Sequence, residues 1–160
     1  MSTVSEKKII EGLAAEFFLK MGTEATDIQI EEGLPEASDT LFSVQVSVES
    51  PQMLIGQNGS TLFELQRILR ILLNKKVGRN FYLNLDINGY KQKKLAYLVQ
   101  LAEAIANEVS ASGEPKALAP MSSYERRILH QEFSKRADIT TESQGDGDLR
   151  HIIVSSKQAV

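Results

Sequence analysis

Residues 54–62 read Leu-Ile-Gly-Gln-Asn-Gly-Ser-Thr-Leu, and this run limits the fold more than any other stretch. Two glycines three positions apart close a short apolar segment and open a long helical pattern. Glycine has no Cβ, so the backbone can turn sharply there and bring its N–H groups close to an anion such as a phosphodiester. A Walker phosphate loop is excluded, because no Gly-Lys-Ser or Gly-Lys-Thr follows. What folds around the turn is decided by its flanks.

Upstream, the spacing predicts a helix over residues 4–21, with Ile9, Ile10, Leu13, Phe17 and Met21 inward and Gly22 as its stop. A strand is expected at Thr26–Glu32, with Ile28 and Ile30 on one face, followed by a turn at Gly33-Leu34-Pro35-Glu36. Phe42, Val44, Val46 and Val48 alternate with Ser43, Gln45 and Ser47, the pattern of a half-buried strand. Ser50-Pro51 opens a short helix that ends at Gly56. A second helix runs from Ser60 to about Lys75 with Leu62, Leu65, Ile68, Leu69 and Leu72 as its apolar stripe and Arg67 and Arg70 off it. Phe81, Leu83, Leu85 and Ile87 alternate as a third strand. The order is helix, strand, strand, helix, glycine turn, helix, strand.

From Asn88-Gly89 the texture changes. A helix from Tyr90 to about Ser110 directs Leu95, Leu98, Val99, Ala102, Ile105, Ala106 and Val109 inward. Lys116–Leu118 reads as a short strand. Ser122 and Glu125 have the spacing of a capping box, so a further helix starts there and runs to about Lys135 on Ile128, Leu129 and Phe133. Ile139–Glu142 and Arg150–Ser155 read as strands around a glycine-rich tip, Gln144-Gly145-Asp146-Gly147-Asp148. The class is α+β, in two small domains, which suits a length of 160 residues.

The chain has no cysteine, which excludes a disulfide scaffold and thiolate metal sites and suits a reducing cytosol. No apolar run approaches a membrane span, and the N-terminus lacks a signal-peptide core. A net charge of −3 argues against nucleic acid until its distribution is read. Residues 1–50 carry 3 basic and 10 acidic side chains, residues 51–94 carry 8 and 2, and residues 95–160 carry 7 and 9. The basic block begins at the glycine turn, and a local patch attracts phosphate over a Debye length whatever the total charge. Arg67, Arg70, Lys75, Lys76 and Arg79 are its candidate phosphate ligands, and Tyr82, Tyr90, Tyr97 and Tyr124 the candidate stacking rings.

Arg126 and His130, four apart on the expected helix, project about 40° apart around its axis, with Arg127 beside them. A permanent guanidinium and a tunable imidazole suit a phosphate or a stacked base. On spacing alone, a surface Arg and a hydrogen-bonded structural His are the favoured alternative. With only two histidines and no triad or metal spacing, acid–base catalysis through His130 with Glu132 or Asp138 is disfavoured. The chain is expected to be no enzyme and to need no metal or cofactor.

The frame aliphatic-Ile55-Gly56-x-x-Gly59-x-x-Leu62, in this order of elements, resembles the type II K homology (KH) domain, whose GxxG loop clamps single-stranded nucleic acid. Residues 117–130, Ala-Leu-Ala-Pro-Met-Ser-Ser-Tyr-Glu-Arg-Arg-Ile-Leu-His, resemble the signature of the domain named for an Arg and a His separated by three residues. Thr141-Glu142-Ser143-Gln144-Gly145-Asp146-Gly147 and Arg150 match the same family's hairpin. A KH domain joined to this second domain through Asp86-Ile87-Asn88-Gly89-Tyr90 looks like the bacterial Jag family of SpoIIIJ-associated proteins, also called KhpB or EloR. The resemblance covers residues 1–156, nearly the whole chain.

That resemblance implies a KH domain at 1–88 (α-β-β-α-α-β) and a helix/antiparallel-sheet Arg-x-x-x-His domain at 89–156. It implies a cytoplasmic protein that binds single-stranded RNA, with single-stranded DNA as the other candidate. It links the chain to post-transcriptional regulation, cell elongation and cell shape. It also implies a small single-KH partner, or self-association, through KH–KH contact. By motif match, Gly56, Gln57, Asn58 and Gly59 form the clamp, Ile55 and Leu62 frame the nucleotide groove, Arg126 and His130 are the paired residues, and Arg150 follows the hairpin. Two features depart from the family. Many KH loops carry Lys or Arg between the glycines, whereas Gln57 and Asn58 are neutral. Many Jag proteins carry an extra N-terminal domain, whereas this chain begins almost at the first KH helix, so that domain's functions are not carried over. The neutral loop and acidic balance favour the alternative of an interaction protein whose KH surface mainly dimerises.

Overall fold

The first helix, α1 (Thr3–Lys20), buries Glu6, Ile10, Ala14 and Phe18, four residues apart along one stripe. Ile9, Leu13 and Phe17 pack at its margin, while Met21 lies past its end and is exposed rather than inward. The computed structural model describes residues 3–36 and 39–157. The chain divides into two units, Met1–Lys91 and Gln92–Val160.

In the first unit, β1 (Ala25–Glu36) pairs antiparallel with β2 (Asp39–Val48), and β2 pairs in parallel with β3 (Tyr82–Ile87). The expected turn at Gly33–Glu36 is instead strand, pairing as far as Glu36 with Asp39. Gly33 and Pro35 are absorbed as a register slip between Gly33 and Glu36, which an edge strand tolerates because its outer N–H groups need no partner. A parallel pair cannot be joined by a tight turn and needs a crossover. Here the crossover is α2 (Gln52–Ile55), a short 3-10 turn over Gln57–Gly59, and α3 (Ser60–Val77). The two glycines therefore sit at the break between the crossover helices.

Helix α3 faces the core with Leu62, Leu65, Leu69, Leu73 and Val77. Ile68 and Leu72, expected inside, are 46 % and 41 % exposed, and Ile71 is 57 % exposed. The stripe that meets the rest of the unit is narrow, and these side chains project to one side of it. Phe42, Val44, Val46, Val48, Phe81, Leu83, Leu85 and Ile87 complete this core.

The second unit contains most of α4 (Tyr90–Ser112), then β4 (Lys116–Ala117), α5 (Ser123–Ser134), β5 (Ile139–Gln144) and β6 (His151–Ser156). Its sheet is antiparallel with order β4-β6-β5, which leaves β5 at an edge. Leu98, Ala102, Ile105, Ala106 and Val109 of α4 pack with Ile128, Leu129, Phe133, Ile139, Ile152 and Val154. Leu95 and Val99, expected inward, are exposed. Buried positions 98, 102, 105, 106 and 109 form a complete helical stripe, and 95 and 99 fall outside it.

Helix α5 starts with the expected capping box. Glu125 N donates to Ser122 Oγ, and the Glu125 carboxylate accepts from Ser122 N at 2.8 Å. The same carboxylate meets Lys94 Nζ at 2.6 Å, with both side chains largely buried. Burial works against the charge of Glu125, but the hydrogen bonds from Lys94 and Ser122 outweigh it and hold its carboxyl below the ordinary range.

Candidate nucleic-acid interface

Around the glycine turn, Gly56 N donates to Gln52 O at 2.9 Å and ends α2. Gly56 then takes φ 71° and ψ −176°, a region open essentially to glycine alone. A Cβ there would overlap Thr61 Oγ1 and stand 2.8 Å from Thr61 Cβ. Asn58 follows in a left-handed conformation (φ 52°, ψ 28°), a state Asn tolerates better than most residues. Gly59 is also left-handed (φ 79°, ψ 10°), and a Cβ on it would stand 2.8 Å from Tyr90 Cε1. Gln57 and Asn58 are exposed, and Gly59 is buried. Among the described residues, the amides of Gln57 and Asn58 donate to no backbone carbonyl.

Ile55 is partly buried at the edge of this turn, as a groove residue would be. Leu62 is fully buried, so it supports any groove from behind and offers no surface of its own. Arg67 is exposed, 4.0 Å from Glu64, and Arg70, Lys75 and Lys76 are not buried. Arg79 is a correction: its Nε and Nη2 donate to the Glu6 carboxylate at 2.9 and 2.7 Å, and Nη1 donates to Thr40 Oγ1. The hydrogen bond from Arg79 holds Glu6 below the ordinary carboxylate range against opposing burial. An Arg held by a buried carboxylate serves to join α1 to the sheet, and it drops out of the set of phosphate ligands. The sequence hint was Glu6, four residues before Ile10 on the buried stripe.

The segment after β3 is tied down by side chains. Asn88, left-handed at φ 52°, accepts from Val48 N and donates to Val48 O, each at 2.9 Å. Asp86 Oδ1 accepts from Ile87 N and from Lys91 N. Lys91 Nζ donates to Gln66 Oε1 and Asn84 Oδ1 and lies 5.1 Å from the Phe63 ring centroid. Burial lowers the Lys91 ammonium to about 8, partly offset by the charge of Asp86.

In the second unit, Arg126 Nη1 donates to Met121 O at 2.8 Å, and His130 Nδ1 lies 2.7 Å from Thr141 Oγ1 on β5. Burial, then the neighbouring charge of Arg126, push the imidazole below its ordinary value, so it is neutral at pH 7. Arg150 is exposed, and its Nε donates to Ser143 Oγ at 3.1 Å. Thr141 and Ser143 are two apart and therefore share one face of the edge strand. His130 and Arg150, far apart in the chain, thus meet neighbouring residues of β5, with Arg126 one helical turn from His130. Arg127 lies beside Arg126 on α5. Sequence reasoning missed Thr141 and Ser143 as anchors; their place in the Thr141–Gly147 hairpin was the available signal. Of the candidate rings, Tyr82 and Tyr97 are exposed, Tyr124 packs on the second core, and Tyr90 packs on the first. No helix among the described residues is long and apolar enough to cross a membrane.

Residues 96–156 match the R-3-H domain, the family whose name abbreviates an Arg and a His three residues apart, so the second unit defines the chain as a protein of that domain class. Over 154 residues it is 30 % identical to the RNA-binding protein KhpB of Clostridium symbiosum, covering 95 % of this chain and 68 % of that protein. It is 31 % identical over 146 residues to the RNA-binding protein KhpB of Bacillus subtilis (strain 168), covering 90 % and 70 %. For the protein of the same name from Streptococcus pneumoniae (strain ATCC BAA-255 / R6) the identity is 28 % over 149 residues, covering 92 % of this chain and 45 % of that one. The chain belongs to the KhpB family, the Jag family that its motifs resemble.

Proposed function

We propose that this protein is a non-enzymatic regulator that binds single-stranded RNA at two sites, one in each unit. The first unit is read as a type II KH domain, residues 1–88, and the second as an Arg-x-x-x-His domain, residues 89–156. The observation that carries this reading is the glycine-only turn at Gly56–Gly59, with exposed Gln57 and Asn58, at the start of a basic segment. Amides of the turn and the neutral Gln57 and Asn58 side chains donate hydrogen bonds to phosphate oxygens, and Arg67, Arg70, Lys75 and Lys76 add charge. Arg126, Arg127, His130 and Arg150 form the second site. His130 contributes there as a neutral hydrogen-bonding or stacking ring, because its proton is already lost at pH 7. Two weak sites on one chain gain affinity through effective concentration when one strand reaches both. The relatives' names as RNA-binding proteins fit this reading, and a cytoplasmic setting goes with it.

The test is the double variant Gln57→Asp/Asn58→Asp, measured with fluorescein-labelled poly(U) and, in parallel, the corresponding poly(dT). Charge repulsion at the turn should weaken binding at least about tenfold with the melting curve unchanged. Unaltered binding would show that the turn is not the clamp. Equal affinity for both polymers would leave the 2′-hydroxyl without a role.

A second reading has its own support. Ile68, Ile71 and Leu72 are exposed on α3, spaced to form one apolar patch. We read it as the surface that takes another KH domain, from a small single-KH protein or a second copy. Ile68→Asp should then abolish association in sedimentation experiments; an unchanged sedimentation coefficient for both mixtures would remove this reading.

A further inference from the structure

Gly59 is buried although its neighbours in the turn are exposed, and what covers it is the ring of Tyr90. The ring edge stands so close that a Cβ on Gly59 would approach Tyr90 Cε1 to 2.8 Å and the hydroxyl to 3.4 Å. Tyr90 itself has little freedom to leave. Its predecessors are pinned by the two hydrogen bonds between the Asn88 amide and the Val48 backbone. Its successor is pinned at both ends: Lys91 N to Asp86 Oδ1, and Lys91 Nζ to Gln66 on α3 and Asn84 on β3. The segment Asp86–Lys91 is thus a brace that runs from the sheet to the underside of the turn. A turn with left-handed residues at Asn58 and Gly59 stores backbone strain and keeps its shape only when its surroundings over-determine it. The three atoms nearest the Gly59 Cβ position all belong to the Tyr90 side chain.

We propose that Tyr90 is a positioning residue for the phosphate clamp: its ring is the floor that holds Gly59, and with it the amides of the turn, in the geometry that receives a phosphodiester. The inference rests on the clamp reading above. In it, Tyr90 is no stacking platform for a base, because the ring that would have to stack is occupied by the underside of the turn.

The test is a mutant cycle on the full chain with fluorescein-labelled poly(U), combining Tyr90→Ala with Gln57→Asp/Asn58→Asp. Tyr90→Ala should weaken binding about five- to tenfold and make the log–log salt slope shallower by about 0.7, the loss of one single-strand phosphate contact. Tyr90→Phe, which keeps the ring, should recover most of the affinity. In the Asp background, Tyr90→Ala should weaken binding by less than about twofold, because the contact it organises is already lost. Should Tyr90→Ala unfold at the assay temperature, Tyr90→Leu replaces it in the same cycle. A Tyr90 variant that binds like wild type, or whose effect simply adds to that of the Asp substitutions, overturns the proposal while the clamp stands. Asp substitutions that leave binding unchanged overturn the clamp and this inference together.

Discussion

Gly59 and Gly78 hold nearly the same left-handed backbone, φ 79° with ψ 10° and φ 81° with ψ 14°, at opposite ends of α3. Their surroundings differ. No atom lies within 4 Å of where a Cβ on Gly78 would be, whereas the Tyr90 ring edge is 2.8 Å from that position on Gly59. Alanine at Gly78 therefore feels the backbone penalty alone, about 1–2 kcal/mol for an L-residue in this region. Alanine at Gly59 feels the same penalty plus overpacking against the ring, typically about 1–3 kcal/mol. The expected losses are about 1–2 kcal/mol for Gly78→Ala and about 2–5 kcal/mol for Gly59→Ala, summed from those two terms. Native-state hydrogen exchange read on α3 peptides gives the opening free energy of this unit apart from the other. Gly59→Ala combined with Tyr90→Ala should recover the overpacking part, which a simple sum of two losses would not. Equal losses for Gly59→Ala and Gly78→Ala would mean that the ring swings aside without resistance, and the braced floor would be refuted.

Four further outcomes are expected. Glu125→Ala removes the capping box and leaves Lys94 largely buried without its carboxylate, so it should destabilise the second unit by about 2–3 kcal/mol in urea melts. Arg126→Ala should make the salt slope for poly(U) shallower by about 0.7; an unchanged slope with lowered stability would assign Arg126 to holding Met121 O alone. The pH dependence has a fixed sign. His130 has a folded value below the ordinary 6.5, so the unfolded chain binds its proton first and stability falls as pH drops through about 6.5. His130→Gln should abolish that decline. Glu6 and Glu125 have folded values below 4.5, so their contribution is present above that pH and is lost as pH falls further; a urea midpoint flat down to about pH 3 would contradict both.

Much of this architecture was legible because local signals agreed. The alternation in Phe42–Val48, the two crossover helices around the glycines, and the Ser122/Glu125 box each name an element without reference to the rest of the chain. The misreadings have one cause. At Ile68, Leu72, Leu95 and Val99 an apolar residue at helical spacing was assigned to the interior, but how wide a stripe is covered depends on what packs against the helix. At Gly33–Glu36 the turn signal was genuine, yet an edge strand absorbed it as a slip in register. Arg79 illustrates the same limit for charge: nothing near it in sequence reveals that a carboxylate 73 positions away binds it.

The chain alone determined that two glycines three positions apart stand between two helices, that a basic segment begins there, and that an Arg and a His share one helix face. These are consequences of backbone sterics and helical periodicity, which act within a few residues. Only the tertiary structure decided which of the basic residues stay exposed, that His130 and Arg150 converge on neighbouring residues of β5, and that Tyr90 lies beneath Gly59. Those relations depend on side chains brought together across long stretches of chain by burial of the core, and burial depends on the whole of each unit.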